Sequence, residues 1–213
     1  MPTIAYLPRA RSCVTRFHLR HLARAPAPTV AYLPRARSRG TRTHPGALSV
    51  QTANANFSVQ VVDVPEANKK VELCVFDMPG QGIFREASLK LCADAAAVLV
   101  VFDASSEQSL ENCSIWLDEC SQRAGGRHMR GVLVANKCDI TERIFPGARM
   151  RGQQFAEQYG LAYFETSAAY NDQAGKESSP MFECAKVEAV FEHIAKDFVQ
   201  SYEDYCAKLE NTL

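Results

Sequence analysis

The sequence predicts an α/β fold, with a mostly parallel sheet, flanking helices and one antiparallel edge. Three observations predict it. AAAVLVVFD (95–103) and GVLVA (131–135) are apolar runs without a polar break, as expected of strands buried on both faces of a parallel sheet. Stretches of helical length and periodicity alternate with them, the pattern of βαβ units. Directly after the second run come Asn136, Lys137 and Asp139, at a strand's carboxyl end, where open α/β sheets bind ligands.

The elements follow in order from Phe57. FSVQVVDV (57–64) alternates apolar and polar like a half-buried edge strand. A polar turn, Pro65 to Lys70, separates it from VELCVF (71–76), so the two read as a hairpin. After the strand 95–103, Glu107 to Gln122 is helical, with Leu110, Trp116, Leu117 and Cys120 near one face, and Gly125-Gly126 ends that region. Beyond the strand 131–135, residues 148–159 form a helix closed by Gly160, and LAYFE (161–165) is the last strand. Residues 170–180 are polar and contain Pro and Gly, so they read as a loop. A long helix from about Phe182 to Leu209 closes the chain. Its Val187, Val190, Phe191, Ile194, Phe198, Tyr202 and Leu209 recur at spacings of three and four. At 1.5 Å per residue such a helix is about 40 Å long. Its first half is expected to pack on the core and its surplus to be free for a partner.

Composition divides the chain in two. Residues 1–48 hold nine Arg, no Lys and no acid; the other 165 residues hold 15 basic and 24 acidic side chains, for a formal total of zero. PTIAYLPRARS (2–12) recurs as PTVAYLPRARS (28–38), and six prolines interrupt the stretch. Residues 1–48 are therefore expected to be a disordered Arg/Pro-rich repeat arm of no fixed function, ahead of a domain at 49–213. A mitochondrial transit peptide and a basic arm for nucleic acid are the competing readings; no nucleic-acid partner is expected. Eight scattered cysteines with no CxxC pair and no Cys/His cluster speak against structural zinc and a disulfide scaffold. They are expected to be reduced thiols of a cytoplasmic protein, several of them serving as small apolar side chains. No apolar run approaches the roughly 20 residues of a membrane span. Glu stands fourth from the end, so no lipid anchor is expected.

Three short motifs carry chemistry. Asp77-Met78-Pro79-Gly80-Gln81 follows a strand. An aspartate there suits Mg²⁺ held through water, the Gly80 N–H suits a terminal phosphate, and Gln81 suits orientation of an attacking water. In Asn136-Lys137-x-Asp139, the carboxylate can accept both N1–H and the 2-amino group of guanine, the lysine stem can lie along the ring, and the asparagine amide can tie neighbouring loops. In Glu165-Thr166-Ser167-Ala168, small side chains leave a backbone N–H able to face guanine O6. Each alone is as well read as a turn or a helix cap. Their order, each at the end of a predicted strand, is what gives them weight.

DxxGQ, NKxD and ETSA in that order, with SLENCSIWLDE (109–119), resemble a Ras-superfamily small GTPase of the Rab type. FSVQVVDVP, VELCVFD and FEHIAKDFVQSYED resemble its intraflagellar-transport branch. The resemblance covers about 52–209. It implies a P-loop NTPase-like fold and binding of GTP or GDP with Mg²⁺. It places Asp77, Gly80 and catalytic Gln81 at the γ-phosphate, and Asn136, Lys137, Asp139, Ser167 and Ala168 at the base. It makes Thr52 and Asp77 the Mg²⁺ residues, although the glycine the family has after that threonine is Asn54 here. It also implies a second intraflagellar-transport subunit as heterodimer partner, and a place in the cytoplasm and the cilium or flagellum.

One family element has no counterpart. G-x-x-x-x-G-K-[ST], which follows the family's first strand, is absent; the sole Gly-Lys, Gly175-Lys176, precedes Glu. Amides and the lysine of that loop hold the phosphates. The domain is thus expected to be incomplete at its N-terminus, lacking first strand, phosphate loop and first helix. Because that strand lies mid-sheet in the family, its loss is expected to leave two strand edges open. GTP binding and hydrolysis follow from the resemblance and are expected to be impaired. A nucleotide-free interaction subunit and a truncated form of a complete GTPase are the alternatives.

Overall fold

The computed structural model describes residues 3–8, 56–78, 85–93, 95–169 and 184–211. Its strands are β1 (Thr3–Pro8), β2 (Asn56–Val64), β3 (Lys69–Asp77), β4 (Ala95–Asp103), β5 (Gly131–Asn136) and β6 (Ala162–Glu165). Its helices are α1 (Arg85–Cys92), α2 (Glu107–Arg123), α3 (Ala148–Gln158) and α4 (Val187–Glu210). The six strands form one sheet in the order β2-β3-β1-β4-β5-β6.

β4 pairs in parallel with β5 and β5 with β6, while β2 pairs antiparallel with β3 along its whole length. This is the predicted mixture of a parallel body and one antiparallel hairpin edge. The seat between β3 and β4, expected to stand open, is filled. Thr3–Pro8 runs antiparallel to both neighbours, with Ala5 opposite Asp77 on one side and Leu99 on the other. The reading of residues 1–48 as a tail therefore does not extend to these six; residues 9–48 lie outside the described part. The physical reason is hydrogen bonding: two mid-sheet edges present rows of unpaired N–H and C=O groups that attract any extended segment.

The apolar runs do what their lack of polar breaks implies. Val98, Val100 and Phe102 of β4 and Leu133 and Ala135 of β5 point to one face. Leu99, Val101, Val132 and Val134 point to the other. The first face is covered by α1, α2 and α3, through Leu89, Leu110, Trp116, Leu117, Ala148 and Ala156 among others. The second is covered by α4 through Val190, Ile194, Ala195 and Val199. Ser106 starts α2 by accepting the Ser109 N–H on its side chain, an ordinary N-cap.

Three details differ from expectation. α1 was not read from the sequence. The sulfurs of Cys92 and Cys120 are in contact between α1 and α2, with Cα atoms 5.2 Å apart, a separation that a disulfide spans; these two are a pair rather than isolated thiols. In β2 the apolar Phe57, Val59 and Val61 are exposed, and Val62 and Val64 are buried instead. α4 reaches β2 from one face, and among the described residues no helix covers its other face. The buried positions of α4 stop at Val199, and Tyr202, Tyr205 and Leu209 are exposed. The helix thus divides as predicted into a core-packing half and a surplus.

Candidate functional site

β3, β4, β5 and β6 all run the same way, so Asp77, Asp103, Asn136 and Glu165 end their strands at one edge of the sheet. Beyond β5 and β6, two loops are joined to each other. The Cys138 N–H donates to Thr166 O at 3.2 Å and the Thr166 N–H to Ala135 O at 2.8 Å. The Asn136 side-chain oxygen accepts the Ala168 N–H at 3.1 Å and, at 3.5 Å, the Thr166 hydroxyl. Ser167 Oγ donates to Asp139 Oδ1 at 2.5 Å. Four of the five predicted base-site residues, Asn136, Asp139, Ser167 and Ala168, take part in this cluster. Thr166 and Ser167 are buried, which keeps these bonds away from competing water.

Lys137 has φ of +67°, a left-handed conformation that costs a non-glycine residue about 1 kcal/mol and gathers at ligand sites. Its Nζ pairs with Asp103. Burial pushes the Asp103 carboxyl up, and hydrogen bonds from Lys137 and Ser105 outweigh it, leaving the group below its ordinary value. Asp103 is a site residue the sequence reading missed. The rule that singled out Asp77, an aspartate ending an apolar strand, picks it out equally well.

Arg149 makes a two-pronged pair with Glu165, which also accepts the Tyr163 hydroxyl at 3.0 Å. This ties α3 to β6 just beneath the base-site loops. The Cys138 thiol, between the lysine and the aspartate of the motif, is pushed up to about 12 by burial. It is a packing group that donates to Ala135 O at 3.3 Å, not a nucleophile.

On the other side of the edge stands Asp77, 5% exposed. Its Oδ1 has no hydrogen-bond partner among the described residues, and burial raises its carboxyl to about 6. Gly80, Gln81 and Thr52, expected beside it, lie outside the described residues. Among the described residues no group of three His, Cys, Asp or Glu side chains is placed to hold a metal.

A fold with this strand order, and strand-end loops carrying Asp77, NKxD and the Thr166–Ala168 turn, defines a small GTPase of the Ras type. The Ras family profile matches residues 47–200, and the chain belongs to that family. It is 33% identical over 153 residues to the intraflagellar transport protein 27 homolog of Bos taurus, covering 72% of this chain and 75% of that one. The Homo sapiens homolog is likewise 33% identical over 154 residues, with the same coverage. The Ras-related protein RABE1d of Arabidopsis thaliana is 31% identical over 163 residues, covering 76% of this chain and 67% of that one. The chain is accordingly a Rab-like small GTPase similar to intraflagellar transport protein 27.

Family membership implies a guanine nucleotide with Mg²⁺. The residue types at the base side fit it: the Asn136 tie holds the Thr166–Ala168 turn beside the Asp139 carboxylate. The buried Asp77 oxygen, without a partner among the described residues, fits a hydrated cation, which is one way of making such a site favourable for a carboxylate.

Proposed function

We propose that this chain is a Rab-like subunit of ciliary transport that keeps a guanine-recognising sheet edge but retains nucleotide poorly, and that acts mainly as a docking partner. Asp139 would accept from N1–H and the 2-amino group of guanine, and Lys137 would lie along the ring; the Ala168 N–H, held by Asn136 Oδ1 in this structure, would have to turn from that oxygen to reach O6. Asp77 would orient a water on Mg²⁺, and the bound cation would neutralise phosphate charge there. Asp77 and Asn136 are three strand spacings apart, about 14 Å, a span that an extended nucleoside triphosphate covers.

The observation that carries the reading is the direction of β1. In the family a phosphate loop follows the first strand and so opens at the carboxyl edge of the sheet. Here β1 occupies that strand's seat but leaves the sheet at Pro8, opposite Ala95, the first residue of β4. The chain that follows β1 begins at the edge remote from Asp77. With no G-x-x-x-x-G-K-[ST] elsewhere, the phosphates lack the amides and the lysine that supply most of the family's grip. The names of the relatives point to intraflagellar transport, hence to a second transport subunit as partner and to the cytoplasm and cilium as location.

Heating the purified full chain and analysing the supernatant by ion-exchange chromatography tests the nucleotide half of this reading. The expected result is far less than one GDP per chain. A stoichiometric amount would overturn it.

A further inference from the structure

Cys92 closes α1, and Cys120 lies in the last turn of α2. Their sulfurs touch, their Cα atoms are 5.2 Å apart, and both residues are fully buried. We propose that this pair is a reversible redox lock: as two thiols it leaves α1 free to open from α2, and as a disulfide it fastens α1 in place. The inference does not depend on whether nucleotide binds.

Both states fit one backbone. Cα separations of about 4.4–6.8 Å accommodate a disulfide. Two reduced cysteines serve equally well as small apolar side chains in the core cluster they share with Leu89, Ala95 and Leu117. The two ends are also unequally held. α2 has 17 residues, six of them buried, and the Cys120 carbonyl accepts the Ala124 N–H at 2.9 Å. α1 has eight residues, fewer than the roughly 12–15 that a helix needs to persist alone. Its ion pair to α2, Glu86 with Arg123, is exposed on both sides and so holds it weakly. A disulfide in the cytoplasm, the location proposed above, is characteristically transient or redox-sensing rather than permanent. β3 ends at Asp77 and α1 begins at Arg85, so the segment that carries Gly80 and Gln81 has α1 as its downstream end. Oxidation would fix that end.

The oxidant is a peroxide. Opening of α1 exposes Cys92, the sulfur on the shorter helix. Its thiolate attacks one peroxide oxygen; an S–O bond forms, the O–O bond breaks and water leaves, which makes a sulfenic acid. When α1 recloses, the Cys120 sulfur displaces the hydroxyl as a second water and the S–S bond forms. The pair gives up two protons and two electrons, and one hydrogen peroxide becomes two waters. A dithiol reverses the step by exchange, becoming a disulfide itself.

The full chain is treated with a small molar excess of hydrogen peroxide and then, without denaturant, with dithiothreitol. Non-reducing peptide mapping follows the linkage, and hydrogen–deuterium exchange follows the peptide 86–92. The expected result is a Cys92–Cys120 link that forms with peroxide and disappears with dithiothreitol. Since 28 residues separate the two cysteines, the link closes a long loop and restricts the opened chain; exchange of 86–92 is expected to slow at least ten-fold while it is present. In Cys92→Ala, and independently in Cys120→Ala, that exchange is expected to be the same before and after peroxide. No link, a link between other cysteines only, or a link that dithiothreitol leaves intact in the native chain overturns the proposal. So does a linked chain whose α1 exchanges as fast as the reduced one, or a slowing by peroxide that persists in the alanine variants.

Discussion

Asn136→Ala isolates the joint on which the base site rests. The substitution deletes the carboxamide, whose oxygen accepts the Ala168 N–H at 3.1 Å and the Thr166 hydroxyl at 3.5 Å. An N–H left without an acceptor in a dry site costs about 1–3 kcal/mol. Ala168 is only half-buried, so water relieves part of this, and the 3.5 Å contact is too long to add much. The expected loss is therefore at the low end, about 1–1.5 kcal/mol, or roughly 2–6 °C in a domain of this size. Urea unfolding followed by fluorescence of Trp116, the sole tryptophan and a buried part of the α2 face, gives the global value. Amide exchange at Ala168 gives the local one, expected to quicken about ten-fold, the equivalent of 1.4 kcal/mol. Asn136→Asp keeps an oxygen in the same place and should recover most of the loss. If alanine and aspartate behave alike, or if alanine costs under about 0.3 kcal/mol, the two loops are not held together by this side chain and the account of the site is wrong.

The remaining predictions concern the opposite side of the edge, the strand register and the surplus helix. Burial raises the Asp77 carboxyl from its ordinary 3.8 to about 6, so between those values the native state holds a proton that the unfolded chain has released. Stability in metal-free buffer should be full below about pH 4 and fall by about 3 kcal/mol as pH climbs past 6, at 1.36 kcal/mol for each unit of pH. Asp77→Asn should abolish that fall; a flat wild-type curve of urea midpoint against pH would contradict it. A Cβ on Gly131, where φ is +148°, would sit 1.8 Å from the Val98 carbonyl oxygen, so Gly131→Ala should cost at least about 3 kcal/mol by forcing β4 and β5 apart. Gly152→Ala would meet the Tyr163 ring at 2.6 Å, a side chain that can turn, and should cost less in the same thermal melt; equal losses would count against the argument. Tyr205 and Leu209 are 49% and 46% exposed, so the double change to serine should leave the melting temperature within about 1 °C while weakening capture of a second transport subunit at least ten-fold. Unchanged capture would mean that the end of α4 is not the docking face.

The strands of the parallel body were legible because both their faces are buried. AAAVLVVFD has its one polar residue, Asp103, at its very end and GVLVA has none, and a run of that kind admits few other readings. α2 was legible for the complementary reason: Leu110, Trp116, Leu117 and Cys120 share one helical face, and all are buried. α1 escaped notice because its eight residues hold one clear apolar pair, Leu89 and Leu91, too few to establish a period. β2 misled in detail. Its alternation at 57–61 was real, but the apolar side faces away from α4, and the burial expected of it falls on Val62 and Val64 instead. β1 was invisible for a different reason: nothing local in TIAYLP distinguishes a strand from an extended tail. What makes it a strand is the pair of edges waiting seventy and more residues later, and tertiary demand of that kind leaves no local trace. The pairing of Cys92 with Cys120 escaped for the same reason, since 28 residues separate the two and only the packing of α1 on α2 brings them together.

The base site invites a stronger conclusion than its residues license by themselves, and their hydrogen bonds show why. Asn136 uses its side-chain oxygen on the Ala168 N–H, Ser167 uses its hydroxyl on Asp139, and Lys137 reaches Asp103. All three bonds exist within the protein alone. They join β4, β5 and the loop after β6 into one rigid edge, and Arg149 on Glu165 braces that edge from α3. The residues proposed to recognise guanine are thus the same residues that fasten the strand ends, so they have a structural role whether or not a nucleotide is bound. Asp77 has no such second role: its Oδ1 finds no partner among the described residues, and burial makes its charged form unfavourable. Asp77 is therefore the better reporter of function. A chain that never meets a cation would be more stable with asparagine there, and the size of that gain in metal-free buffer, set against its loss when Mg²⁺ and GTP are added, measures how far this sheet edge still works as a nucleotide site.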